Sequence, residues 1–260
     1  MMLKLEGINK AFNKDTVDET VLFRDFDFSV EKGEFISVVG SNGSGKTTML
    51  NLICGSDTAD SGKIIFEDRD ITALSEHKRA SFIGRVFQNP TVGTCSGLTI
   101  LENMALADNK NRLFGLSFAV NRKREDHYRE LLEQCDMGLE NRLNVKVGSL
   151  SGGQRQALAL VIANMTKIKL LILDEHTAAL DPKSSEIMMK LTDRIVKGND
   201  ITTIMVTHNL RYAVEYGNRL IMMHEGEIIK DLKDEKKKQV DVDDLLDEFY
   251  SISIENGNGV

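Results

Sequence analysis

The sequence predicts an α/β fold: a mixed, mostly parallel sheet with crossover helices, an antiparallel side sheet and an inserted helical subdomain. The N-terminal segments alternate apolar and polar side chains with a period of two, which is typical of antiparallel strands with one solvated face. Later segments are short, rich in leucine or β-branched residues, and separated by a segment with helical spacing, which is typical of parallel strands joined by crossover helices. Helical spacing prevails between about residues 97 and 166, so this part is predicted to be the inserted subdomain.

Strands account for most of the first hundred residues. LKLEGINKAF is predicted to be a strand, Val21–Val30 alternates in polarity, and a turn at Glu31-Lys32-Gly33 leads into the buried run FISVVG. A glycine-rich stretch follows, after which Thr47–Cys54 is predicted to be a helix. SGKIIFEDRDI then predicts two antiparallel strands around a polar turn.

From Thr99 onward helices and buried strands alternate. Thr99 is placed to cap ILENMALAD, and NRKREDHYRELLEQCDM has apolar residues at helical spacing with charges on its other face. The remaining predicted elements are the strand KLLILD, the helix KSSEIMMKLTDRIV, the strand ITTIMVTH and a hairpin about Glu225-Gly226. Residues 1–235 are thus predicted to form one domain.

The C-terminal residues 236–260 are predicted to form an acidic helix and a tail outside this domain. DVDDLLDEFY has the spacing of a short amphipathic helix, and IENGNGV is predicted to be a flexible tail. The lysine-rich DEKKKQ before them is predicted to be a solvated linker.

Composition and charge exclude several classes of protein. A formal charge of −7 over 260 residues argues against nucleic acid as a partner, since such binding needs a basic face. No segment approaches the roughly 18 consecutive apolar residues of a membrane span, and MMLKLEGINK lacks the apolar stretch of a secretion signal, so we expect a cytosolic chain. Cys54, Cys95 and Cys135 form no CxxC pair, and we interpret them as reduced thiols with packing roles.

A glycine-rich loop between a predicted strand and a predicted helix indicates a phosphate-binding site. GSNGSGKT, residues 40–47, can turn tightly and point its backbone N–H groups at phosphate oxygens near a helix N-terminus. Lys46 would add a positive charge at the β- and γ-phosphates, Thr47 a hydroxyl ligand for Mg²⁺, and Thr48 a contact to the α-phosphate. The predicted nucleotide-binding residues here are Gly40, Ser41, Asn42, Gly43, Ser44, Gly45, Lys46, Thr47 and Thr48. An ordinary glycine turn would not need the complete eight-residue pattern, and the spacing is not the GxGxxG of dinucleotide-binding folds.

Two adjacent carboxylates follow the apolar run LLIL. Asp174 is predicted to hold the metal, and Glu175 to orient and deprotonate an attacking water. An isolated Asp-Glu pair at a strand end is more often merely solvated. Because this pair follows a second buried strand well after Lys46, the sequence favours the catalytic interpretation.

LSGGQ, residues 150–154, precedes the helical segment QALALVIANM. Ser151, Gly152 and Gly153 can present N–H groups at a helix N-terminus, although an ordinary serine-glycine cap would have the same pattern. The order of GSNGSGKT, LSGGQ and LLILDE, within about Leu3 to Asp231, resembles the ATP-binding cassette (ABC) family, the ATPase subunits of ABC transporters. The resemblance implies the P-loop NTPase core of the ABC ATPase fold. It also places Ser151, Gly152, Gly153 and Gln154 on the γ-phosphate of an ATP held by a second ATPase subunit.

The resemblance assigns roles to four residues whose types alone are uninformative. Gln88 matches a glutamine that contacts Mg²⁺ or the attacking water, and His208 matches a histidine that bonds the γ-phosphate; isolated residues of either type are usually solvated or structural. Asp181 matches a loop residue that lies near the opposite site of the dimer. Phe12 matches an aromatic residue that stacks on adenine, although a Phe so near the first strand could instead belong to the core. The predicted Mg²⁺ ligands are therefore Thr47, Gln88 and Asp174.

One position departs from the family pattern. The residue after Glu175 is His176, where many family members have proline. A titratable group beside the predicted base could tune the pH response of hydrolysis or be a loop residue without function, and we favour the second interpretation.

The resemblance also implies partners. DEHTAALDP, GTCSGLTILENMALAD and LSGGQRQALAL look most like bacterial importer ATPases that work with a permease of the branched-chain amino-acid type and an extracytoplasmic substrate-binding protein. Some members of that subgroup are associated with aromatic amino acids. We therefore expect an ATP-dependent homodimer at the cytoplasmic face of the cell membrane, attached through transmembrane permease subunits and driving import.

Two other classes of ATPase were weighed against the transporter interpretation. A soluble ABC ATPase that serves an assembly scaffold, as in iron–sulfur cluster biogenesis, has the same motifs and is the alternative. A chromosome or DNA-repair ATPase would need a long coiled coil between the motifs, and Gly97–Ser149 is short and contains no heptad repeat.

Overall fold

The computed structural model describes residues 1–110 and 120–255. The strands in chain order are β1 (Leu3–Phe12), β2 (Thr20–Val30), β3 (Phe35–Gly40), β4 (Ser61–Phe66), β5 (Arg69–Asp70), β6 (Ile83–Val86), β7 (Leu170–Asp174), β8 (Thr202–Val206), β9 (Arg219–His224) and β10 (Glu227–Lys233). The helices are α1 (Lys46–Cys54), α2 (Glu76–Arg79), α3 (Ile100–Asp108), α4 (Glu125–Glu133), α5 (Gly152–Asn164), α6 (Pro182–Asn199), α7 (Leu210–Glu215), α8 (Asp234–Lys238) and α9 (Val242–Glu255). Single 3₁₀ turns occur at Arg122–Arg124, Leu139–Asn141 and Val147–Ser149.

The chain divides into two compact units. The first comprises residues 1–75 and the chain from 202 onward, and the second comprises residues 76–201. Residues 97–110 and 120–166 of the predicted helical subdomain lie within the second unit, which also contains β6, β7 and α6; residues 111–119 lie outside the described residues.

The first unit contains the predicted antiparallel side sheet, with strand order β2-β1-β4-β5. In β1 the buried residues Leu3 and Leu5 alternate with half-buried neighbours, because successive side chains point to opposite faces of the sheet. Two half-buried residues then separate Leu5 from the buried Ile8, and the pairing with β2 shifts register there. Leu3 is opposite Val30 of β2 on one side and Phe66 of β4 on the other. The alternation in the sequence thus predicted this sheet correctly.

The same unit contains the strands that precede the glycine-rich loop and His208. β3 pairs in parallel with β8 and β9, and β9 pairs antiparallel with β10 through the predicted hairpin turn. Every residue of β3 and β8 is buried, which explains why these strands do not alternate between core-facing apolar and solvent-facing polar residues.

The C-terminal region differs in part from the sequence prediction. The acidic helix exists as α9, and its Leu245 packs with Val39, Ala213 and Met222. DEKKKQ, however, is not an irregular linker, because Asp234–Lys238 forms α8; its other residues are exposed as predicted, but Lys237 is only 3% exposed. The Lys237 ammonium donates to the carbonyls of Val214 and Tyr216 (3.0 Å for Tyr216) at the end of α7, where helix carbonyls have no partner within the helix. Of the predicted tail IENGNGV, residues 256–260 lie outside the described residues.

The second unit combines one parallel strand pair with helices. β6 and β7 run in parallel with Ile83 opposite Leu170 and Val86 opposite Leu173. The predicted cap of α3 is confirmed: Thr99 Oγ1 accepts from the Glu102 N–H (3.2 Å), and the Glu102 carboxylate accepts from the Thr99 N–H (2.7 Å).

The three cysteines are free thiols, as predicted, but they do not all pack. Cys54 and Cys135 are buried, and burial raises the pKa of Cys135 to about 12, so it stays protonated at neutral pH. Cys95 is exposed, so the predicted packing role is wrong for this residue. Across residues 1–110 and 120–255 no helix has the combined length and apolarity of a membrane span.

Candidate functional site

The glycine-rich loop connects β3 to α1 in the first unit. The Lys46 ammonium, 5% exposed, lies inside the loop and donates to the carbonyls of Gly40 (2.7 Å) and Ser41 (2.8 Å) and to Ser44 Oγ (3.3 Å). α1 begins at Lys46, and its N-cap is Gly45, which has no side chain to cap the first N–H groups. The arrangement therefore joins a buried cation to a helix N-terminus, and both attract an anion.

Contacts from the side sheet and from the closing hairpin, which β9 and β10 form, support this loop. Gly45 has φ 99°, and a Cβ there would lie 2.8 Å from the Phe23 ring, so the packing requires glycine. Gly226, in the β9–β10 turn, donates its N–H to the Ser44 carbonyl (3.1 Å), and a Cβ at Gly226 would collide with the Leu22 carbonyl. Neither support was predicted from the sequence. The Glu225-Gly226 turn was visible in the sequence, but nothing there indicated what it contacts.

His208 follows a neighbouring strand of the same unit. β3 and β8 run in parallel with Val38 opposite Val206, so the loop and His208 leave the same carboxyl edge of the sheet. The Thr207 N–H donates to the Val38 carbonyl (3.1 Å), and the Asn209 side chain caps α7 by accepting from the Tyr212 N–H (3.2 Å). His208 is exposed between these two fixed points.

Phe12 is the last residue of β1 and is 38% exposed. Its ring is therefore not part of the core, so the alternative interpretation of Phe12 as a core residue is wrong. The adenine contact itself stays a prediction.

Asp174, Glu175 and Gln88 lie at one edge of the strand pair in the second unit. Asp174 ends β7, Glu175 follows it, and Gln88 comes two residues after the end of β6. Because β6 and β7 are parallel, these residues leave the pair at the same carboxyl edge. Glu175 has φ 47°, an uncommon conformation for a residue other than glycine, and it marks an abrupt turn after the strand.

Arg85, which was not predicted as a site residue, is a buried arginine that holds the Asp174 carboxylate in place. Arg85 Nη2 donates to Asp174 Oδ2 at 2.7 Å, and both side chains are about nine-tenths buried. The Arg85 guanidinium also lies 4.6 Å from the centroid of the Phe87 ring. An arginine within the apolar segment FIGRVF was the available signal, since such a residue needs a carboxylate partner when buried.

His176 is buried, at 2% exposure, and points away from solvent. The Thr192 hydroxyl donates to the Met188 carbonyl (2.9 Å), so it must accept from His176 Nε2 at 3.1 Å. Burial lowers the pKa of His176 to about 4, which keeps the ring neutral at physiological pH. These contacts agree with the interpretation of His176 as a structural loop residue.

The LSGGQ segment forms the start of α5 by a capping box. Ser151 Oγ accepts from the Gln154 N–H (3.2 Å), and Gln154 Oε1 accepts from the Ser151 N–H (3.2 Å). Gln154 Nε2 also donates to the Met137 carbonyl (3.3 Å), and Arg142 Nη1 donates to Gln154 Oε1 (3.3 Å). The Gln154 side chain thus serves the helix start here, and its predicted contact to a nucleotide stays a prediction.

Asp181 lies close to this helix start. It is the N-cap of α6, where its carboxylate accepts from the Ser184 N–H (3.1 Å), and this hydrogen bonding lowers the pKa of Asp181. A Cβ on Gly153 would lie 3.4 Å from the Ser184 side chain, so α5 and the start of α6 pack closely. The second unit therefore brings Ser151–Gly153 and Asp181 together, with both capped helix starts exposed at Ser151 and Asp181.

The predicted metal ligands have the chemistry that Mg²⁺ prefers. Thr47 offers an exposed hydroxyl in the first turn of α1, Asp174 a carboxylate, and Gln88 an amide oxygen. All three are hard oxygen donors, and Mg²⁺ is commonly held by one or two carboxylates together with substrate phosphates. The residues fit the ion.

Comparisons with known proteins agree with these features. A family model described as ABC transporter matches residues 23–178. The tyrosine transport ATP-binding protein of Clostridioides difficile (strain R20291) is 44% identical over 248 residues, which cover 95% of this chain and 98% of that protein. The spermidine/putrescine import ATP-binding protein PotA of Mycoplasma mycoides subsp. mycoides SC is 34% identical over 228 residues, 87% of this chain, and this chain spans 60% of that relative.

Solved structures give the same result for the fold. The dimeric post-hydrolysis state of the ATP-binding cassette MJ0796, bound to ADP and Pi, has a TM-score of 0.76 at 30% identity, covering 89% of this chain and 98% of that one. The ADP conformation of MJ1267, an ATP-binding cassette of an ABC transporter, has a TM-score of 0.79 at 26% identity and covers 98% of each chain.

Proposed function

The chain belongs to the ABC transporter family as one of its ATP-binding subunits, and we propose how its residues perform the ATP hydrolysis that drives import through a separate permease. The phosphates of ATP bind the loop of residues 40–48, and Phe12 stacks on the adenine. The observation that carries this proposal is the Lys46 ammonium, buried among loop carbonyls at the uncapped start of α1. When ATP binds, its β- and γ-phosphates replace some of these carbonyls as partners of Lys46, giving a stronger, charge-assisted interaction.

Glu175 is the proposed general base. It accepts the proton of the attacking water, and His208 and Gln88 orient that water and the γ-phosphate. The Arg85–Asp174 ion pair holds the Asp174 carboxylate in one orientation, so that it is available to a metal without rearrangement. Mg²⁺, when bound by Thr47, Gln88 and Asp174, would neutralise charge on the β- and γ-phosphates.

Two copies of the chain are needed in this proposal. Ser151, Gly152 and Gly153 at the start of α5 contact the γ-phosphate of the ATP held by the other copy, and Asp181 lies at the same interface. The close packing of these helix starts in the second unit supports their acting together. The dimeric MJ0796 structure with ADP and Pi supports a nucleotide-dependent dimer.

The variant Glu175→Gln tests the catalytic part of the proposal. Glutamine keeps the shape of the side chain but cannot accept a proton, so we expect ATP turnover to fall roughly 10²- to 10⁴-fold while ATP binding persists. Turnover would be measured by phosphate release, and dimer formation with Mg·ATP by light scattering. Glu130→Gln, at an exposed position of α4, is the control and should hydrolyse ATP normally. Normal turnover in Glu175→Gln would remove Glu175 from the mechanism.

We further propose that the complex contains transmembrane permease subunits and an extracytoplasmic substrate-binding protein, that the chain works at the cytoplasmic face of the membrane, and that the cargo is an aromatic amino acid. The tyrosine transport relative, 44% identical over nearly all of both chains, supports the class of cargo. It also favours transport over the assembly-scaffold alternative.

Purification from membranes tests these partners. A tagged chain extracted in detergent should carry a multispanning permease, identified by mass spectrometry, and vesicles holding that complex should take up tyrosine rather than putrescine. Recovery of a soluble scaffold without a permease would contradict the transport proposal. Uptake of putrescine alone would contradict only the cargo.

A further inference from the structure

A nearly buried lysine lies beneath the exposed ring of Phe12. Lys10, two residues earlier on β1, is 8% exposed, and its Nζ lies over the ring at 5.1 Å from the centroid. This distance is within the range of a cation–π interaction. Phe12 itself keeps 38% of its surface exposed, so the ring has both a cation on one face and access to solvent.

The Lys10 ammonium is held in place by two oxygens. It donates to Asp57 Oδ1 at 2.6 Å and to the Thr58 carbonyl at 2.9 Å. An ammonium group has three N–H donors, so the ring of Phe12 takes the remaining direction. The side chain of Lys10 is therefore fixed from three sides.

Asp57 is in turn joined to the helix that carries the phosphate loop. The N–H groups of Gly55, Ser56 and Asp57 all donate to the Asn51 carbonyl, at 2.9, 3.1 and 3.3 Å, which fastens Asp57 to the last turn of α1. The first residue of α1 is Lys46, which lies about 12 Å along the helix axis from the last residue, Cys54. The contacts from Phe12 through Lys10 and Asp57 to α1 all lie within the first unit.

From these contacts we propose that Lys10 is a positioning residue for the nucleotide base: it fixes the Phe12 ring and sets its place relative to the phosphate loop. The inference rests on the proposed stacking of adenine on Phe12. A ring that is already ordered loses less conformational entropy when the base binds. A cation on one face also draws the ring electrons toward itself, which makes the opposite face less repulsive to an electron-rich purine.

The test compares two ligands that share a triphosphate chain, of which only ATP carries a nucleoside. Equilibrium dissociation constants for Mg·ATP and Mg·tripolyphosphate would be measured on the full chain and on Lys10→Met, which keeps an unbranched apolar side chain without the charge. We expect ATP affinity to fall about three- to tenfold and tripolyphosphate affinity to stay unchanged. Lys10→Arg should restore most of the ATP affinity.

Lys14→Met is the matched control. Lys14 is close in sequence and also ion-paired, to Asp60 at 2.7 Å, but it is half exposed, and the described ring contacts of Phe12 involve Lys10. Its loss should change neither affinity. Equal ATP affinity in Lys10→Met and the parent chain, or an equal loss for both ligands, would overturn the inference.

Two further variants separate this inference from the proposed function. Phe12→Leu should weaken ATP binding, and adding Lys10→Met to it should cause no further loss, because Lys10 acts through the ring. If Phe12→Leu binds ATP like the parent, the stacking proposal fails; if it weakens ATP and Lys10→Met does not, only the role of Lys10 fails. Should Lys10→Met not fold, Asp57→Asn retains the lysine but weakens its anchor, and the same selective loss of ATP over tripolyphosphate is expected.

Discussion

At the scale of single residues, burial decides what a titratable group can do. His176 is adjacent to the proposed general base in sequence, yet its ring is buried and bonded to Thr192 on α6. A neutral ring with a pKa of about 4 does not change charge near neutral pH, so it does not tune hydrolysis there. Its effect is expected on the stability of the fold at acid pH.

We therefore expect the free energy of unfolding to depend on pH through His176. The folded-state pKa is below the unfolded value of about 6.5, so the unfolded chain binds the extra proton between these values and stability falls as the pH is lowered through that window. This one group should remove roughly 2 kcal/mol between pH 7 and pH 5. His176→Gln can retain the bond to Thr192 and should show a shallower decline in urea denaturation.

The control for this prediction is an exposed histidine. His127 on α4 is exposed, and His127→Gln should keep the parent's pH dependence. Identical slopes for His176→Gln and the parent would mean that His176 is not the group responsible.

At the scale of elements, the start of α5 serves two purposes. Ser151 caps the helix, and in the proposed dimer the same residue faces a γ-phosphate. A cap contributes about 1 kcal/mol, which is a small part of a domain's stability. The stability and binding roles of Ser151 can be separated because different substitutions affect them differently.

Replacing Ser151 by Ala and by Asp makes this separation. Ser151→Ala should lower the free energy of unfolding by about 1 kcal/mol, while Ser151→Asp retains a capping oxygen and should stay near the parent. In the Glu175→Gln background, Ser151→Asp should prevent the ATP-dependent dimer because its carboxylate repels the phosphate. Thermal melts and light scattering measure the two effects.

Thr99 offers a matched control in the same unit. It caps α3 through the same kind of capping box, with Glu102. Thr99→Ala should lower stability by a similar amount and leave the dimer intact. A Ser151→Asp protein that still dimerises with ATP would contradict the proposed contact.

At the scale of the whole molecule, one buried arginine joins segments far apart in the chain. Arg219 at the start of β9 bonds both oxygens of Asp231 on β10 (2.8 and 2.7 Å), Glu34 Oε2 (2.9 Å) and the Ser29 carbonyl (2.6 Å) at the end of β2. The side sheet, the turn before β3 and the closing hairpin thus share one cation. Glu34 is largely buried and also pairs with Lys233 (2.9 Å), whereas Asp231 is about a third exposed.

Removing this cation should destabilise the fold strongly. Arg219→Met keeps the apolar stem but removes the cation that Glu34 and Asp231 share. Glu34 keeps Lys233 as a partner (2.9 Å) and Asp231 is about a third exposed, so we expect a loss of about 3 kcal/mol in the free energy of unfolding, at the lower end for a broken buried ion pair. Lys197→Met, which removes an exposed ion pair with Asp193 on α6, is the control and should change stability little. A small effect of Arg219→Met in urea denaturation would show that the cluster is not needed.

Many local features of this protein were predictable from its sequence. The alternation in β1 and β2, the continuous apolar runs of β3, β7 and β8, and the caps at Thr99 and Ser151 depend on neighbours within a few residues. The order of the loop at 40–47, LSGGQ and Asp174-Glu175 was enough to identify the family. Hydrogen bonds within a helix or a turn, and the faces of a strand, are local properties, and local sequence therefore determines them.

Only the tertiary structure decided the partners of buried charges. Lys237 was predicted to be solvated and Cys95 to be packed, but Lys237 is buried and Cys95 is exposed. Arg85 is paired with Asp174, 89 residues later in the chain, and the sequence did not predict this pair. The position of Lys10 likewise depends on tertiary contacts, because its ammonium lies between Phe12 and the distant Asp57. A buried charge is stabilised by oxygens or rings that the fold brings from other segments, so its environment follows from the packing of the chain and not from the residues beside it.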